Sequence, residues 1–237
     1  MGRVSPKIIN NEGWISLNNR FTNSDFGAAF SLKSICLDSL VDRKLFADQI
    51  GLKSHNLITP LQTHSNNVVL NPSKKKIENC DGVFTNKIDY ACSIQVADCM
   101  PLFFAHKNEI AFGLVHIGWR GLVNGIINKT ADLLIINGYH LKDFEIIIGP
   151  SIRNCCFEVS QDILSNFNPE FVSTVHEKGK YKIDLQGHAL KNLINLDFKT
   201  ENIEIIKECT YCDIYKYYSY RRDGEKAGRM IGLIGYK

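Results

Sequence analysis

Three short segments set reactive side chains beside apolar runs. Gln62-Thr63-His64-Ser65 precedes the strand-like Val68-Val69-Leu70, Ala97-Asp98-Cys99-Met100-Pro101 separates two strand-like runs, and His116-Ile117-Gly118-Trp119-Arg120-Gly121 lies where a strand gives way to a helix. A scaffold presents such residues at the end of a sheet. His64, Cys99 and His116 together offer two imidazoles and a thiolate, a donor set that suits zinc and leaves a fourth position open for water or substrate. An open position points to catalysis. No C-x-x-C or H-x-x-x-H spacing links the three, however, and the same pattern also fits buried core histidines with an inert cysteine.

Arg120 is predicted beside a helix N-terminus, where free N–H groups and the helix dipole reinforce an anion or phosphate site. A surface ion pair is the alternative. Tyr217-Tyr218-Ser219-Tyr220-Arg221-Arg222-Asp223 combines aromatic rings with two guanidinium groups, a set able to stack on a base or sugar and clamp an anion, or equally to form an edge strand entering a charged turn. Cys209-Thr-Tyr-Cys212 has the C-x-x-C form. Because Cys155 and Cys156 are adjacent rather than spaced as a second ribbon pair, a structural or incidental role is expected there in place of a metal or redox site. Gly118, Gly121 and Gly125 match neither a Walker loop nor a dinucleotide fingerprint and are read as a tight turn with close helix packing.

These residues need elements to hold them. Apolar runs rich in β-branched and aromatic residues predict strands at Ala91 to Val96, Leu102 to Ala105, Ile110 to Ile117, Phe144 to Ile148, Ile203 to Ile206 and Met230 to Tyr236. Helical spacing of Val123, Ile126, Ile127, Leu133 and Leu134 predicts a helix over Leu122 to Ile136, stopped by Asn137-Gly138, with further helices at Asp162 to Phe167 and Leu185 to Leu196. Strands occur both in succession and separated by helices, which favours a mixed sheet with flanking helices. No repeat or linker divides the 237 residues, so one domain over residues 1–237 is expected.

A hydrophobic share of 44% and a charged share of 22% are those of an ordinary globular protein. The net charge of +3 indicates neither a nucleic-acid nor a membrane-surface partner, and Lys74-Lys75-Lys76 is read as a solvated loop. Met1 to Trp14 shows no apolar leader and no stretch is long enough to span a bilayer, so a cytoplasmic protein with its eight cysteines kept as thiols is expected.

In this order the motifs resemble those of a bacterial family of laccase-domain, or polyphenol oxidase-like, purine nucleoside phosphorylases, also known as peptidoglycan editing factors. The matching stretches are Gln62-Thr-His64-Ser-Asn-Asn-Val68, Asp81-Gly-Val-Phe-Thr-Asn86, Ala97-Asp-Cys99-Met-Pro101, Val115-His116-Ile-Gly-Trp-Arg-Gly121, Ile148-Gly-Pro-Ser-Ile152, Phe157-Glu-Val159, Cys209-Thr210, and Tyr218-Ser-Tyr-Arg-Arg222 with Gly228-Arg-Met230. The family's N-terminal Ser-Thr-Arg-x-Gly-Gly-like segment is replaced here by Arg20-Phe-Thr-Asn-Ser-Asp-Phe-Gly27, without the paired glycines.

The resemblance implies an α+β fold, a four-layer α/β/β/α sandwich of mixed sheets, and zinc held by His64, Cys99 and His116. It also implies phosphorolysis of adenosine, inosine and methylthioadenosine, with adenosine deamination as a related activity. The partners would be a purine nucleoside and phosphate; the sequence leaves the oligomeric state open and is compatible with a monomer. For such chemistry Arg120 and Arg222 would bind phosphate, and Asp98 would either transfer a proton or orient a histidine ligand.

Four rival readings can be set against the sequence. A multicopper oxidase needs on the order of ten histidines, and the chain has 7: His55, His64, His106, His116, His140, His176 and His188. A single copper site of two histidines and a cysteine keeps the right ligand types, although Met100 is poorly placed as its axial ligand. A metal-free hydrolase would use Cys99 as nucleophile and His116 as base. A binding protein for nucleosides or cell-wall precursors would show no turnover.

Overall fold

The structure, a computed structural model, describes residues 13–35, 37, 39–174 and 179–237. Residues 1–12, which carry most of the leader reading, and His176 lie outside the described residues. In chain order the first strands are β1 (Trp14–Ser16), β2 (Phe26–Ser31), β3 (Leu57–Pro60), β4 (Val68–Leu70), β5 (Lys76–Ile77), β6 (Gly82–Thr85), β7 (Ala91–Val96), β8 (Met100–His106) and β9 (Phe112–Ile117). They are followed by β10 (Phe144–Ile148), β11 (Glu158–Ser160), β12 (Val172–Thr174), β13 (Lys180–Ile183), β14 (Ile203–Ile205) and β15 (Met230–Tyr236). The helices are α1 (Leu40–Gln49), α2 (Trp119–Val123), α3 (Ile126–Ile136), α4 (Gln161–Leu164), α5 (Leu185–Asn195) and α6 (Tyr220–Asp223).

Two six-stranded mixed sheets form the centre, one ordered β1-β2-β15-β7-β3-β5 and the other β14-β10-β8-β9-β6-β4. The first is antiparallel from β1 through β7 and parallel where β3 joins β7 and β5, and the second is antiparallel from β10 through β6 with a parallel pair at each end, β10 with β14 and β4 with β6. Their inner faces meet in one apolar layer, where Phe26, Phe30, Ile58, Ile94 and Ile234 pack against Val83, Phe103, Phe112, Leu114 and Ile147. Alternation along each strand sends the intervening residues outward. On the outer face of the first sheet Ala29, Leu57, Ile231 and Leu233 bury Phe46 and Ala47 of α1. On the outer face of the second, Leu102, Phe104, Val115 and Ile146 bury Ile126, Ile127, Ala131 and Leu134 of α3 and Leu185, Ala189 and Leu193 of α5. The fold is therefore α+β with four layers, α/β/β/α. Each large aliphatic side chain fully buried in these layers contributes roughly 1.5–3 kcal/mol.

The helix expected over Leu122 to Ile136 begins earlier, at Trp119, and is broken in two. Gly125 takes φ +79 between the pieces, a conformation that glycine adopts without steric cost. Helical spacing of apolar residues survives such a break because both pieces face the same sheet, so periodicity alone does not show it. The helix expected at Asp162 to Phe167 is only the single turn of α4. The Tyr217 to Asp223 segment is not an edge strand: Ser219 accepts from the Arg222 N–H and caps the one-turn α6. Among the described residues, no helix is long and apolar enough to cross a membrane. Cys36 is outside the described residues, and the other seven cysteines are free thiols.

Candidate active site

The three expected ligands come from three different connections. His64 lies on the segment joining β3 to β4. Cys99 lies on the turn that carries the chain from β7 in one sheet to β8 in the other, and His116 is the penultimate residue of β9, opposite Pro101. Asp98 makes the crossing possible by taking φ +81, a left-handed conformation that Asp tolerates better than most residues. The ligand atoms of His64, Cys99 and His116 lie within 4.8 Å of one another. Cys99 Sγ is 3.7 Å from His64 Nε2. Tetrahedral zinc with ordinary bond lengths requires an S–N separation of about 3.6 Å. Gly118 clears the space: a Cβ there would stand 2.6 Å from His64 Cδ2 and 3.2 Å from Cys99 Sγ.

A carboxylate absent from the expected site organises it. Asp81 is fully buried, and its Oδ1 lies 2.8 Å from His116 Nδ1. An Nδ1–H donated to Asp81 leaves the His116 Nε2 lone pair for a metal. The same carboxylate accepts the backbone N–H groups of Thr63, His64 and Ser65 and the Ser65 hydroxyl. These bonds hold His64 at φ +59, a conformation costing about 1–3 kcal/mol unless its surroundings fix it. Burial pushes the Asp81 carboxyl up, but hydrogen bonds from His116 and Ser65, with the imidazole charge, bring it down to about 2. The sequence signal for Asp81 was its place at the head of the Asp81-Gly-Val-Phe-Thr motif, just before a strand.

Asp81→Asn is expected to lower zinc affinity by about ten- to a hundredfold. The amide NH2 would face donors on either side of the carboxylate position. Competitive zinc titration checks this, with turnover recovering at excess zinc. Unchanged affinity would remove Asp81 from the metal centre.

Burial also works against ionisation of Cys99, yet the neighbouring His116 and His64 bring its thiol down to about 6. Burial opposes the charge on His116, but Cys99 and Asp81 raise its pKa to about 9. Without metal, each of the two thus favours the charged form of the other, thiolate beside imidazolium.

The cluster forms part of the wall of a cavity of about 540 Å³, within the usual range for small-molecule sites. Arg120, Arg221 and Arg229 also line it, together with Phe157 and Tyr220. Arg120 is exposed and lies over the Trp119 ring at 4.4 Å, and among the described residues no carboxylate pairs with it. Among the described residues, the surface ion pair that was its alternative role is not formed. The helix N-terminus invoked beside it is that of the five-residue α2, which adds little dipole of its own.

Arg222 requires correction. All five of its N–H donors are spent: on the carbonyls of Thr210, Tyr211 and Tyr217 and on both oxygens of Asp223. It ties α6 to the preceding loop and does not line the cavity. Its neighbour Arg221 does, stacked at 5.1 Å on Phe157, as does Arg229 of the Gly228-Arg-Met motif. Sequence order could not decide which of two adjacent arginines faces the cavity.

Asp98 hydrogen-bonds neither His64 nor His116. Its Oδ1 accepts from Thr210 Oγ1 at 2.6 Å, and its Oδ2 from Ser219 Oγ at 2.9 Å and Arg221 N at 2.7 Å. The histidine-orienting role falls to Asp81. Arg20 to Gly27 lies away from the cavity: Arg20 pairs with Glu204, and Thr22 N bonds Glu145 at 2.8 Å.

A four-layer sandwich with a His/Cys/His cluster in the wall of a basic cavity defines a recognisable class. Residues 39–237 match the family described as multi-copper polyphenol oxidoreductase laccase, and the chain belongs to that family. It is 33% identical over 181 residues, 73% of this chain and 74% of the relative, to a purine nucleoside phosphorylase of Clostridium acetobutylicum. A purine nucleoside phosphorylase of Haemophilus influenzae is 30% identical over 208 residues, covering 83% of this chain and 80% of its own. The YlmD protein of Geobacillus stearothermophilus shares the fold, with a TM-score of 0.86 at 21% identity over 97% of this chain and 98% of that one.

Proposed function

We propose that this chain is a single-domain cytoplasmic enzyme that uses zinc to cleave purine nucleosides with phosphate, releasing the base and ribose 1-phosphate. Adenosine, inosine and methylthioadenosine are its substrates in this reading, and adenosine deamination is a related activity of the same site. The observation that carries it is the convergence of His64, Cys99 and His116 in the wall of a cavity that three arginines also line. The relatives named purine nucleoside phosphorylases support the substrate class.

His64 Nε2, Cys99 Sγ and His116 Nε2 would hold the ion. Two imidazoles and a thiolate suit zinc, and when bound it supplies a Lewis-acid centre with one open position. The residues do the rest. Arg120, free of any carboxylate partner among the described residues, receives phosphate. Tyr220 offers an aromatic face to the purine, and the Asp98 carboxylate carries the proton transfer that accompanies departure of the base. Phosphate oxygen bonds to C1′ of the ribose as the C1′–N bond breaks, and the leaving nitrogen takes up the proton that the Asp98 carboxylate has accepted from the attacking dihydrogen phosphate.

Arg120→Ala is expected to raise KM for phosphate far more than KM for nucleoside, because its partner is the anion. Steady-state kinetics with each substrate varied in turn checks this. Equal effects on both constants would reduce Arg120 to a structural role. The thiolate–imidazolium pair of Cys99 and His116 favours a second reading, a metal-free cysteine hydrolase. His64→Ala with zinc content measured decides between them: the zinc enzyme loses the zinc of this cluster and its turnover, while the hydrolase, built on Cys99 and His116, keeps turnover.

A further inference from the structure

We infer that the chain holds a second, closed zinc site built from Cys155, Cys156, Cys209 and Cys212, separate from the cavity and independent of the reading given to it. The C-x-x-C pair lacked a spaced partner in the sequence because its partner is the adjacent pair Cys155-Cys156. The sheet brings them together. Strands β10 and β14 run parallel as neighbours, Ile146 beside Ile203 and Ile148 beside Ile205, so the segments leaving them emerge side by side. That pairing continues past the strands: Ile206 N bonds Ile148 O at 2.9 Å, Thr210 N bonds Ser151 O at 3.1 Å, and Ser151 bridges Cys209 in parallel register. The Arg153 guanidinium reaches Lys207 O at 2.7 Å.

The result is four sulfurs within 4.8 Å of one another. Cys212 Sγ lies 3.7 Å from Cys155 Sγ and 3.3 Å from Cys156 Sγ. A disulfide needs about 2.05 Å, whereas four thiolates placed tetrahedrally around zinc stand about 3.8 Å apart. A four-thiolate set selects zinc or iron, and zinc is the assignment here. With all four positions filled by protein, such an ion does no chemistry and fastens structure.

What it fastens is the cavity wall. The first segment carries Ile152 and Phe157, which line the cavity, and the second carries Thr210, which donates to Asp98.

The test is zinc content by elemental analysis of the full chain, purified under reductant with zinc supplied. The variant carrying His64→Ala, Cys99→Ala and His116→Ala together leaves the four cysteines untouched. It is expected to retain one zinc per chain where the wild type holds two. Cobalt(II) substituted into that variant should show intense thiolate-to-metal charge transfer, and Cys155, Cys156, Cys209 and Cys212 should resist native-state alkylation until the metal is chelated. Cys209→Ser with Cys212→Ser should lose one equivalent from the wild-type content. A triple variant free of zinc overturns the proposal, as does iron in place of zinc, or cysteines found paired as disulfides in the reduced, zinc-supplied protein.

Discussion

His64→Ala, Cys99→Ala and His116→Ala are each expected to remove one zinc equivalent and nearly all turnover. The physical reason is coordination number. Three protein ligands already form the minimum that holds zinc with a position open, and removing one leaves two donors and exchangeable water. The loss should exceed the ten- to hundredfold typical of deleting a group that only orients a ligand. Cys99→Ala also deletes the negative charge that His116 faces, and His116→Ala leaves the Asp81 carboxylate buried without its imidazole partner. That last variant should therefore be the least stable of the three, since an uncompensated buried charge is costly. Zinc content and turnover measured together check the prediction. Zinc content and activity unchanged in any one of the variants would remove that residue from the site.

Asp98→Asn is expected to lower the turnover number by about a hundredfold or more with zinc content unchanged, the usual size of a general acid–base contribution. The surroundings of Asp98 make this substitution unusually clean. An amide oxygen in the Oδ2 position still accepts from Ser219 Oγ and Arg221 N, and the amide nitrogen in the Oδ1 position can donate to Thr210 Oγ1, whose hydroxyl turns to accept. Shape and hydrogen bonds survive while the charge and the transferable proton do not. Because Asp98 hydrogen-bonds neither histidine, excess zinc should not restore activity. That separates it from Asp81→Asn, which should recover. Turnover of the Asp98→Asn variant across a zinc titration, with occupancy followed in parallel, is the measurement. Recovery to wild-type turnover at full occupancy would exclude the proton-transfer role.

Much of this arrangement can be read from residue order, and the failures have physical causes. The strands from Ala91 to Val96, Phe144 to Ile148 and Met230 to Tyr236 are legible because each carries isoleucine or valine in a largely apolar run, as strands buried on both faces do. Strand β2, Phe-Gly-Ala-Ala-Phe-Ser, is just as buried but is built from small residues with little strand preference. Helix α1 buries only Phe46 and Ala47 and exposes Leu40, Val41 and Leu45, so its apolar spacing does not mark a face. Its one clear signal is the Ser39 and Asp42 capping box.

At the site, residue type and spacing leave His64, Cys99 and His116 open between a metal cluster and buried core residues, and it is the order of the motifs, through the family they resemble, that singles them out. Carboxylates and arginines are common, and only contact tells them apart. Thus Asp81 rather than Asp98 orients the histidine, and Arg222 is consumed by carbonyls while Arg221 reaches the cavity. Cys155-Cys156 and Cys209-Thr-Tyr-Cys212 fail for a different reason. Their proximity follows from the parallel pairing of β10 with β14, a long-range contact that no local spacing encodes.

The most direct test is product analysis of adenosine incubated with and without phosphate, using wild-type protein of measured zinc content before chelation, after it, and after zinc is returned. Zinc-dependent phosphorolysis predicts adenine and ribose 1-phosphate in equal amounts only when phosphate and zinc are both present, with inosine as the lesser product when phosphate is withheld. Adenine release that persists after the His64, Cys99 and His116 site is emptied, or that ignores phosphate, would contradict it.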